Sequence, residues 1–342
     1  MENGKIGFGM IGLGLISQAH ELGYQEESRR ISITAICDIN PEIAKQRAKN
    51  TGAKVYTDYR ELISDAGIDA VDITLPHILH YPVARFALEH KKHVIMEKPF
   101  VLNWREGQEL INLAKEKGVT FTIAENTRFV KAYIEAEKII KTGILGEARQ
   151  IRTFISGSEV GRLVNTTNWK GRKDGSGGGA IIDAGAHSFY LLKWFLGELE
   201  TVQAVEYKYI KESQVEDYGM VVGRAKEGAI FSSEFSFIIE APWNERMEFH
   251  GSKGSLIIDQ LVNPVGIYYQ GGEDFKGTAL VDVTYDPQYW KVRSIADGVK
   301  DFVDALWNQR PPMVDPADAN YAIKVIQKAY ESIPAGKPLR VE

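Results

Sequence analysis

The sequence predicts an α/β domain built on a doubly wound parallel sheet, followed by an α+β domain. The second domain carries a large, mostly antiparallel open sheet with helices over one face. Three observations predict this. Short apolar runs alternate with helical stretches up to about residue 125. A glycine-rich turn, Gly12-Leu13-Gly14, closes the first apolar run and opens a helix. Beyond residue 125, long β-branched runs follow one another, separated by turns such as Lys226-Glu227-Gly228 and Ser252-Lys253-Gly254.

The elements follow in order. Residues 5–11 are an apolar strand, 16–24 a helix, and 31–37 a β-branched strand. Residues 41–50 read as a helix with Asn40 as N-cap and Pro41 at the first helical position. A strand at 53–56, a helix at 59–64 and a strand at 70–75 stopped by Pro76 come next. Then come a helix at 81–89, a strand at 93–96, a helix at 104–117 ended by Gly118, and a sixth strand at 119–124. The second domain opens with a helix at 132–141. Its strands are expected at 149–156, 201–210, 218–224, 229–239, 246–250, 255–258, 266–269 and 280–285. Helices at 186–196, 295–309 and 316–333 are expected to cover one face. The domain limits are 1–125 and 126–342.

Composition narrows the function classes. A chain of 342 residues suggests two domains at roughly 150 residues each. Apolar residues at 44% and charged residues at 25% are ordinary for a globular protein and exclude collagen-like and wholly disordered classes. With 41 Lys+Arg against 46 Asp+Glu the formal charge is -5, and the aromatics are not interleaved with a basic stripe, so no nucleic-acid partner is expected. The single cysteine, Cys37, cannot form an internal disulfide, and no run has the roughly 18 apolar residues of a membrane span. The apolar stretch 6–16 loosely mimics a secretory signal but lacks a small-x-small cleavage site after it. A cytoplasmic protein with no membrane partner is expected. The 32 glycines exceed the usual share and cluster in two places.

The first cluster belongs to a dinucleotide turn. Lacking side chains, Gly12 and Gly14 permit a tight turn and close approach of a pyrophosphate, and Leu15-Ile16 open the helix whose N-terminus offers free N–H groups. The third fingerprint position is Ser17, which concerns helix packing more than phosphate contact. Asp38 ends the second strand, about 20 residues on, where a carboxylate accepts hydrogen bonds from both ribose hydroxyls and repels a 2′-phosphate. NAD is expected over NADP.

Two further constellations bear chemistry. Glu97-Lys98-Pro99 ends the fifth strand, where open α/β sheets bind ligands. There Lys98 is placed to meet a substrate oxygen, although a solvated loop fits the residues too. In Gly177-Gly178-Gly179-Ala180-Ile181-Ile182-Asp183-Ala184-Gly185-Ala186-His187, Asp183 and His187 share a face if the segment is helical. Such a pair suits general acid–base work, and a capping Asp with a core His fits the residues equally. His77 and His80 lie three apart, but no carboxylate or thiol cluster completes a metal site, so no metal is expected. Trp169, Lys170, Arg172 and Arg162 precede the second cluster and face either substrate or solvent.

In this order, the motifs resemble the glucose–fructose oxidoreductase / inositol dehydrogenase / rhizopine-catabolism (Gfo/Idh/MocA) family of nicotinamide-dependent oxidoreductases. The matching residues are Gly12-x-Gly14, Asp38, Leu75-Pro76-His77-x-x-His80, Glu97-Lys98-Pro99, Asn126-x-Arg128-Phe129, Asn168-Trp169-Lys170, Gly178-Gly179-x-x-x-Asp183-x-Gly185-x-His187 and Gly251-Ser252-x-Gly254-Ser255-Leu256-x-x-Asp259. The resemblance implies a Rossmann domain and a substrate domain whose open sheet makes a homodimer or homotetramer. It implies catalytic roles for Lys98, Asp183 and His187. It also implies cofactor contacts from Gly12, Gly14, Leu15, Ile16, Asp38, Leu75, Pro76, His77, His80, Glu97, Lys98 and Asn126. Arg128, Trp169 and Lys170 join Lys98, Asp183 and His187 as substrate-binding candidates. Two positions depart from the family pattern: His77 stands where Asn is common, and Tyr190 where a further acid often follows. The resulting expectation is an NAD(H)-dependent oxidoreductase acting on a secondary alcohol or ketone of a sugar, sugar derivative or cyclitol. Two alternatives stay open: retained NAD recycled during glycoside cleavage or hydride exchange between sugars, and a non-catalytic sugar or dinucleotide sensor.

Overall fold

A computed structural model of the chain describes residues 4–261, 263–271, 274–280 and 290–341. The chain divides into two compact units, 1–128 with 291–320, and 129–290 with 321–342.

The first unit holds six parallel strands: β1 (Ile6–Ile11), β2 (Ile31–Cys37), β3 (Lys54–Tyr56), β4 (Ala70–Ile73), β5 (His93–Glu97) and β6 (Phe121–Ala124). Their order is β3-β2-β1-β4-β5-β6, every neighbouring pair being parallel. The order reverses between β1 and β4, which makes the carboxyl end of β1 the switch point at which such sheets bind ligands. Local signals fix the crossovers. Asn40 accepts hydrogen bonds from the Glu42 and Ile43 amides at the start of helix Pro41–Thr51, and left-handed Gly52 and Gly118 end that helix and helix Trp104–Lys117. The fourth strand is shorter than the sequence suggests. It stops at Ile73 because Thr74 turns to bond the β1 loop, its Oγ1 donating to the Gly12 carbonyl at 2.6 Å.

One helix lies elsewhere than expected. The sequence reading puts residues 295–309 over the second domain's sheet, yet helix Trp290–Asn308 packs, from Lys291 onward, into the core of the first unit. Val299, Phe302 and Val303 join Phe8, Met10, Tyr24 and Ile36 there, with the Phe8 ring 6.0 Å from Phe302 and 4.9 Å from Tyr24. Gly23 lets the two helices meet: a Cβ there would stand 2.7 Å from the Ala296 carbonyl oxygen. Residues 291–320 thus belong to the first unit.

Among the described residues, the second unit holds nine strands: β7 (Ala148–Ser156), β8 (Leu199–Tyr207), β9 (Tyr218–Ala225), β10 (Ile230–Ser236), β11 (Asn244–Gly251), β12 (Gly254–Asp259), β13 (Asn263–Gly271), β14 (Asp274–Leu280) and β15 (Leu339–Arg340). Their order is β14-β13-β12-β11-β7-β10-β9-β8-β15, and only the β7–β10 pair is parallel. Residues 281–285 of the expected last strand lie outside the described residues. Period-two alternation separates the sheet's faces. Ile151, Val221, Phe231, Phe235, Met247 and Phe249 are buried on one face, while Val205, Tyr207, Val222 and Ile230 are exposed on the other. Helix Gly185–Leu196 packs on the buried face, Phe189 meeting Phe231 and Phe235 ring to ring at 6.4 and 6.1 Å. Among the described residues, no helix is long and apolar enough to cross a membrane.

Candidate active site

In the first unit the candidate cofactor residues gather at the carboxyl edge of the sheet. Gly12 adopts φ +88°, and a Cβ on it would overlap the Thr74 carbonyl oxygen. Its glycine is therefore required by the turn and by the close passage of the β4 loop. A Cβ on Gly14 would meet nothing within 4 Å. That open space, not Gly12's, is where a bound group can approach the backbone. Ser17 is fully buried and closes the turn, its Oγ donating to the Gly14 carbonyl at 2.7 Å. Helix Ser17–Glu26 begins with no side-chain cap; its Gln18 and Ala19 amides turn back onto the Leu15 and Ile16 carbonyls at 3.2 and 3.0 Å.

Asp38 stands at the end of β2 with both oxygens engaged. Oδ2 accepts from the Leu13 amide at 2.9 Å and Oδ1 from the Asn40 amide at 2.8 Å. A carboxylate oxygen has further lone pairs, so this clamp fixes the group's aim without exhausting it. The cradle therefore fits a dinucleotide: an open glycine, an uncapped helix and a fixed carboxylate share one edge.

In the Leu75–His80 turn both histidines are buried. His77 is buried at the start of a 3-10 turn, His77–Leu79, and its ring centroid lies 5.8 Å from that of His80. His80 is completely buried, with Nδ1 2.8 Å from the Pro99 carbonyl oxygen and Nε2 2.9 Å from that of Leu75. Burial pushes its pKa down. Its ring ties the Leu75-Pro76 loop to the Glu97-Lys98-Pro99 loop, so His80 supports the cofactor edge through these two loops. Asn126 is also buried, donating from Nδ2 to Ser294 Oγ at 2.9 Å. Arg128 is half-buried at the end of the same stretch.

Glu97 and Lys98 end β5, and the Lys98–Pro99 peptide is cis. Glu97 is buried, and its Oε2 accepts from the Lys98 amide at 3.1 Å. Its Oε1 lies 3.0 Å from Nε2 of His20, whose Nδ1 lies 2.9 Å from Asp72 Oδ2. Sequence reasoning missed this Asp72–His20–Glu97 cluster, because its members come from three elements and match no local spacing. Burial opposes charge on the His20 ring, but the attraction and hydrogen bonds of the two carboxylates outweigh it, and the pKa is raised to about 10.

In the second unit, the glycine run lies against Glu216. Left-handed Gly177 ends the short helix Lys173–Ser176. A Cβ on Gly179 would overlap the Glu216 carbonyl oxygen, and one on Gly178 the Tyr330 hydroxyl. The Glu216 carboxylate accepts from the Gly179 amide at 2.9 Å, the Ile181 amide at 3.0 Å and the Tyr330 hydroxyl at 2.7 Å. Glu216 thus caps helix Ala180–Asp183, and burial pushes its pKa up. No local sequence signal marks it, since Glu216 lies in the loop before β9, 33 positions beyond the helix it caps.

Asp183 and His187 fall on two successive helical segments, Ala180–Asp183 and Gly185–Leu196, joined through Ala184 in right-handed helical conformation. Both residues are buried. Asp183 Oδ2 accepts from Lys170 Nζ at 2.8 Å, and that ammonium lies 5.9 Å from the Trp169 ring centroid. The structure so brings Lys170, Trp169 and Asp183 together. Arg172 instead pairs with Asp174, and Arg162 with Glu159. Among the described residues no group of three or more His, Cys, Asp or Glu side chains is placed to hold a metal ion.

Comparison with known proteins matches this architecture. The model of an oxidoreductase family with an NAD-binding Rossmann fold, Gfo/Idh/MocA, matches residues 6–125, and its C-terminal domain model matches residues 133–257. Levoglucosan dehydrogenase of Pseudarthrobacter phenanthrenivorans is 27% identical over 287 residues, covering 75% of this chain and 74% of that protein. Myo-inositol 2-dehydrogenase of Thermotoga maritima is 24% identical over 343 residues, 98% of each chain. A solved structure of levoglucosan dehydrogenase in complex with NADH and levoglucosan superposes with a TM-score of 0.89 at 22% identity, covering 98% of this chain and 99% of that one. The chain is an NAD-binding oxidoreductase and belongs to the Gfo/Idh/MocA family.

Proposed function

We propose that this oxidoreductase interconverts a secondary alcohol and a ketone on a sugar, a sugar derivative or a cyclitol, using NAD(H). The observation that carries the reading is Lys98 at the carboxyl end of β5, on the same sheet edge as Gly14 and Asp38. Sugar and cyclitol relatives supply the substrate class. NAD, when bound, accepts or donates hydride at the nicotinamide; the chain's own residues hold the substrate and move the proton. In the oxidative direction His187 takes the hydroxyl proton as general base. Lys98 donates a hydrogen bond to the reacting oxygen and stabilises charge that develops there. Asp183, steered by Lys170, accepts from a neighbouring hydroxyl, which orients the ring. Leu15, Ile16, Leu75, Pro76, His77 and Glu97 complete the cofactor edge, and Arg128 and Trp169 the substrate contacts.

A screen of sugars, sugar acids, inositols and 3-keto glycosides, followed by NADH absorbance, tests the reading. NADH formed in step with product is the expected result, and steady turnover without net NADH would point to recycled cofactor. With the best substrate, His187→Ala and Lys98→Ala each lower kcat by about 10²–10⁴-fold with NADH affinity retained. Near-parental turnover in either removes that residue's role. We also propose a homodimer or homotetramer through the open sheet, whose exposed face carries Val205, Tyr207, Val222 and Ile230. Light scattering behind a sizing column checks it: Val205→Glu with Tyr207→Glu is expected to yield monomer.

A further inference from the structure

His20 lies outside every motif used above, yet each of its two ring nitrogens faces a buried carboxylate. It is fully buried, as is Asp72 on β4, and Glu97 on β5 is nearly so. Each ring nitrogen faces a carboxylate oxygen, Nδ1 toward Asp72 at 2.9 Å and Nε2 toward Glu97 at 3.0 Å. A neutral imidazole has one N–H and one lone pair, so it satisfies one of these carboxylates and repels the other; only the imidazolium donates to both. The other charged or titratable groups nearby do not change this balance. Tyr24, one turn further along the same helix, lies on the Asp72 side and is neutral, its pKa raised by burial and by Asp72. His80 lies on the Glu97 side, its ring nitrogens engaged by the Pro99 and Leu75 carbonyl oxygens rather than by a carboxylate, and burial pushes its pKa down.

We propose that His20 is a positioning residue, held as an imidazolium between Asp72 and Glu97, that sets Lys98. The Glu97 carboxylate is the intermediary. One of its oxygens meets His20 and the other accepts from the Lys98 amide, so the ring fixes the carboxylate and the carboxylate fixes the backbone from which the Lys98 side chain departs. His20 sits on the helix that opens after Gly14, and Asp72 precedes the Thr74 loop that bonds the Gly12 carbonyl. One ring thus joins the cofactor turn and the ends of two strands. A buried ion cluster of this kind is weak evidence for stability, since apolar replacements are often neutral. What it supplies here is a fixed geometry at the end of β5. The inference rests on the reading of Lys98 given above.

Two measurements test it, one of which needs no substrate. Long-range 15N–1H correlation spectra of histidine-labelled protein, assigned by loss of the signal in His20→Asn, are expected to show both His20 ring nitrogens protonated from neutral to mildly alkaline pH. A neutral tautomer overturns the proposal. In kinetics, His20→Asn is expected to lower kcat by about 10–100-fold, the scale of a small misplacement of a reacting group. It should also shift the pH profile of kcat, with NADH affinity by fluorescence titration close to parental. Unchanged kcat and pH profile overturn the proposal even if the thermal midpoint drops. If His20→Asn does not fold, Asp72→Asn replaces it, because it removes one of the two carboxylates that hold the ring protonated. Lys98→Ala separates the two ideas. Parental turnover in that variant defeats the role of Lys98, whereas collapse there with no effect of His20→Asn defeats only the present inference.

Discussion

At the scale of single residues, the proposed preference for NAD over NADP turns on Asp38. Its carboxylate is pinned by the Leu13 and Asn40 amides, so it can neither swing away from a 2′-phosphate nor adapt to one. Charge-assisted hydrogen bonds of this type are worth about 1.5–3 kcal/mol. Asp38→Asn keeps the size, removes the charge and is expected to weaken NADH binding by roughly 10–100-fold while raising the relative affinity for NADPH. Titration of both nucleotides against both proteins checks this, and an NADPH preference in the parent chain would remove Asp38 from the discriminating role. Asp38 was legible in the sequence because strand end and glycine turn fix its distance from Gly14. His20 was not. Its partners lie 52 and 77 positions away, and nothing in a helix reading separates a buried charged His from a core one. His80 shows the converse, a residue visible in a motif whose ring serves the loops Leu75-Pro76 and Glu97-Lys98-Pro99.

At the scale of elements, the second glycine cluster is explained by close packing against one strand entry. Gly178 and Gly179 have no room for a Cβ because Tyr330 and the Glu216 backbone occupy it, and the Glu216 carboxylate then satisfies two helix-start amides. Glu216→Ala leaves those amides and the Tyr330 hydroxyl buried without their acceptor, at about 1–3 kcal/mol for each group. A clear fall in the thermal midpoint is expected. Glu216→Gln offers one oxygen for three donors and should lie between that variant and the parent. If Glu216→Ala melts like the parent, the cap is not what holds this segment. The sequence shows the glycines and the pair Asp183 and His187. It does not show that Glu216 holds the segment, since capping from a distant loop leaves no periodic trace. Most element types were legible from apolar spacing and caps such as Asn40 and Gly118, but β14, β15 and the short helices Val160–Leu163 and Lys173–Ser176 were not, nor was the place of helix Trp290–Asn308. Its apolar stripe signals burial but does not name the sheet it covers, and the choice is made by Gly23 and the Phe8, Tyr24 and Phe302 rings.

At the scale of the whole molecule, these charges set how stability depends on pH. On the acid side, Glu26 is held down to about 2 by hydrogen bonds from Arg293 and then Lys300, and Asp65 to about 2 by the Tyr56 hydroxyl and the Gly67 amide. Groups lowered in the folded state stabilise it above their ordinary values, and that contribution is lost as pH falls toward about 2. Both carboxylates are partly exposed, so added salt should shrink this limb. On the alkaline side the sign reverses. His20 is raised from 6.5 to about 10, so its contribution is full below 6.5 and fades as pH climbs through about 10. Because that ring and its partners are buried, salt should leave this limb nearly unchanged. Thermal midpoints across pH at low and high salt are therefore expected to show a salt-sensitive acid edge and a salt-insensitive alkaline edge. In His20→Asn the alkaline edge should flatten while the acid edge stays. An alkaline edge as steep in that variant as in the parent would assign it to lysine and tyrosine ionisation at large, and would take the buried imidazolium out of the pH balance of the fold.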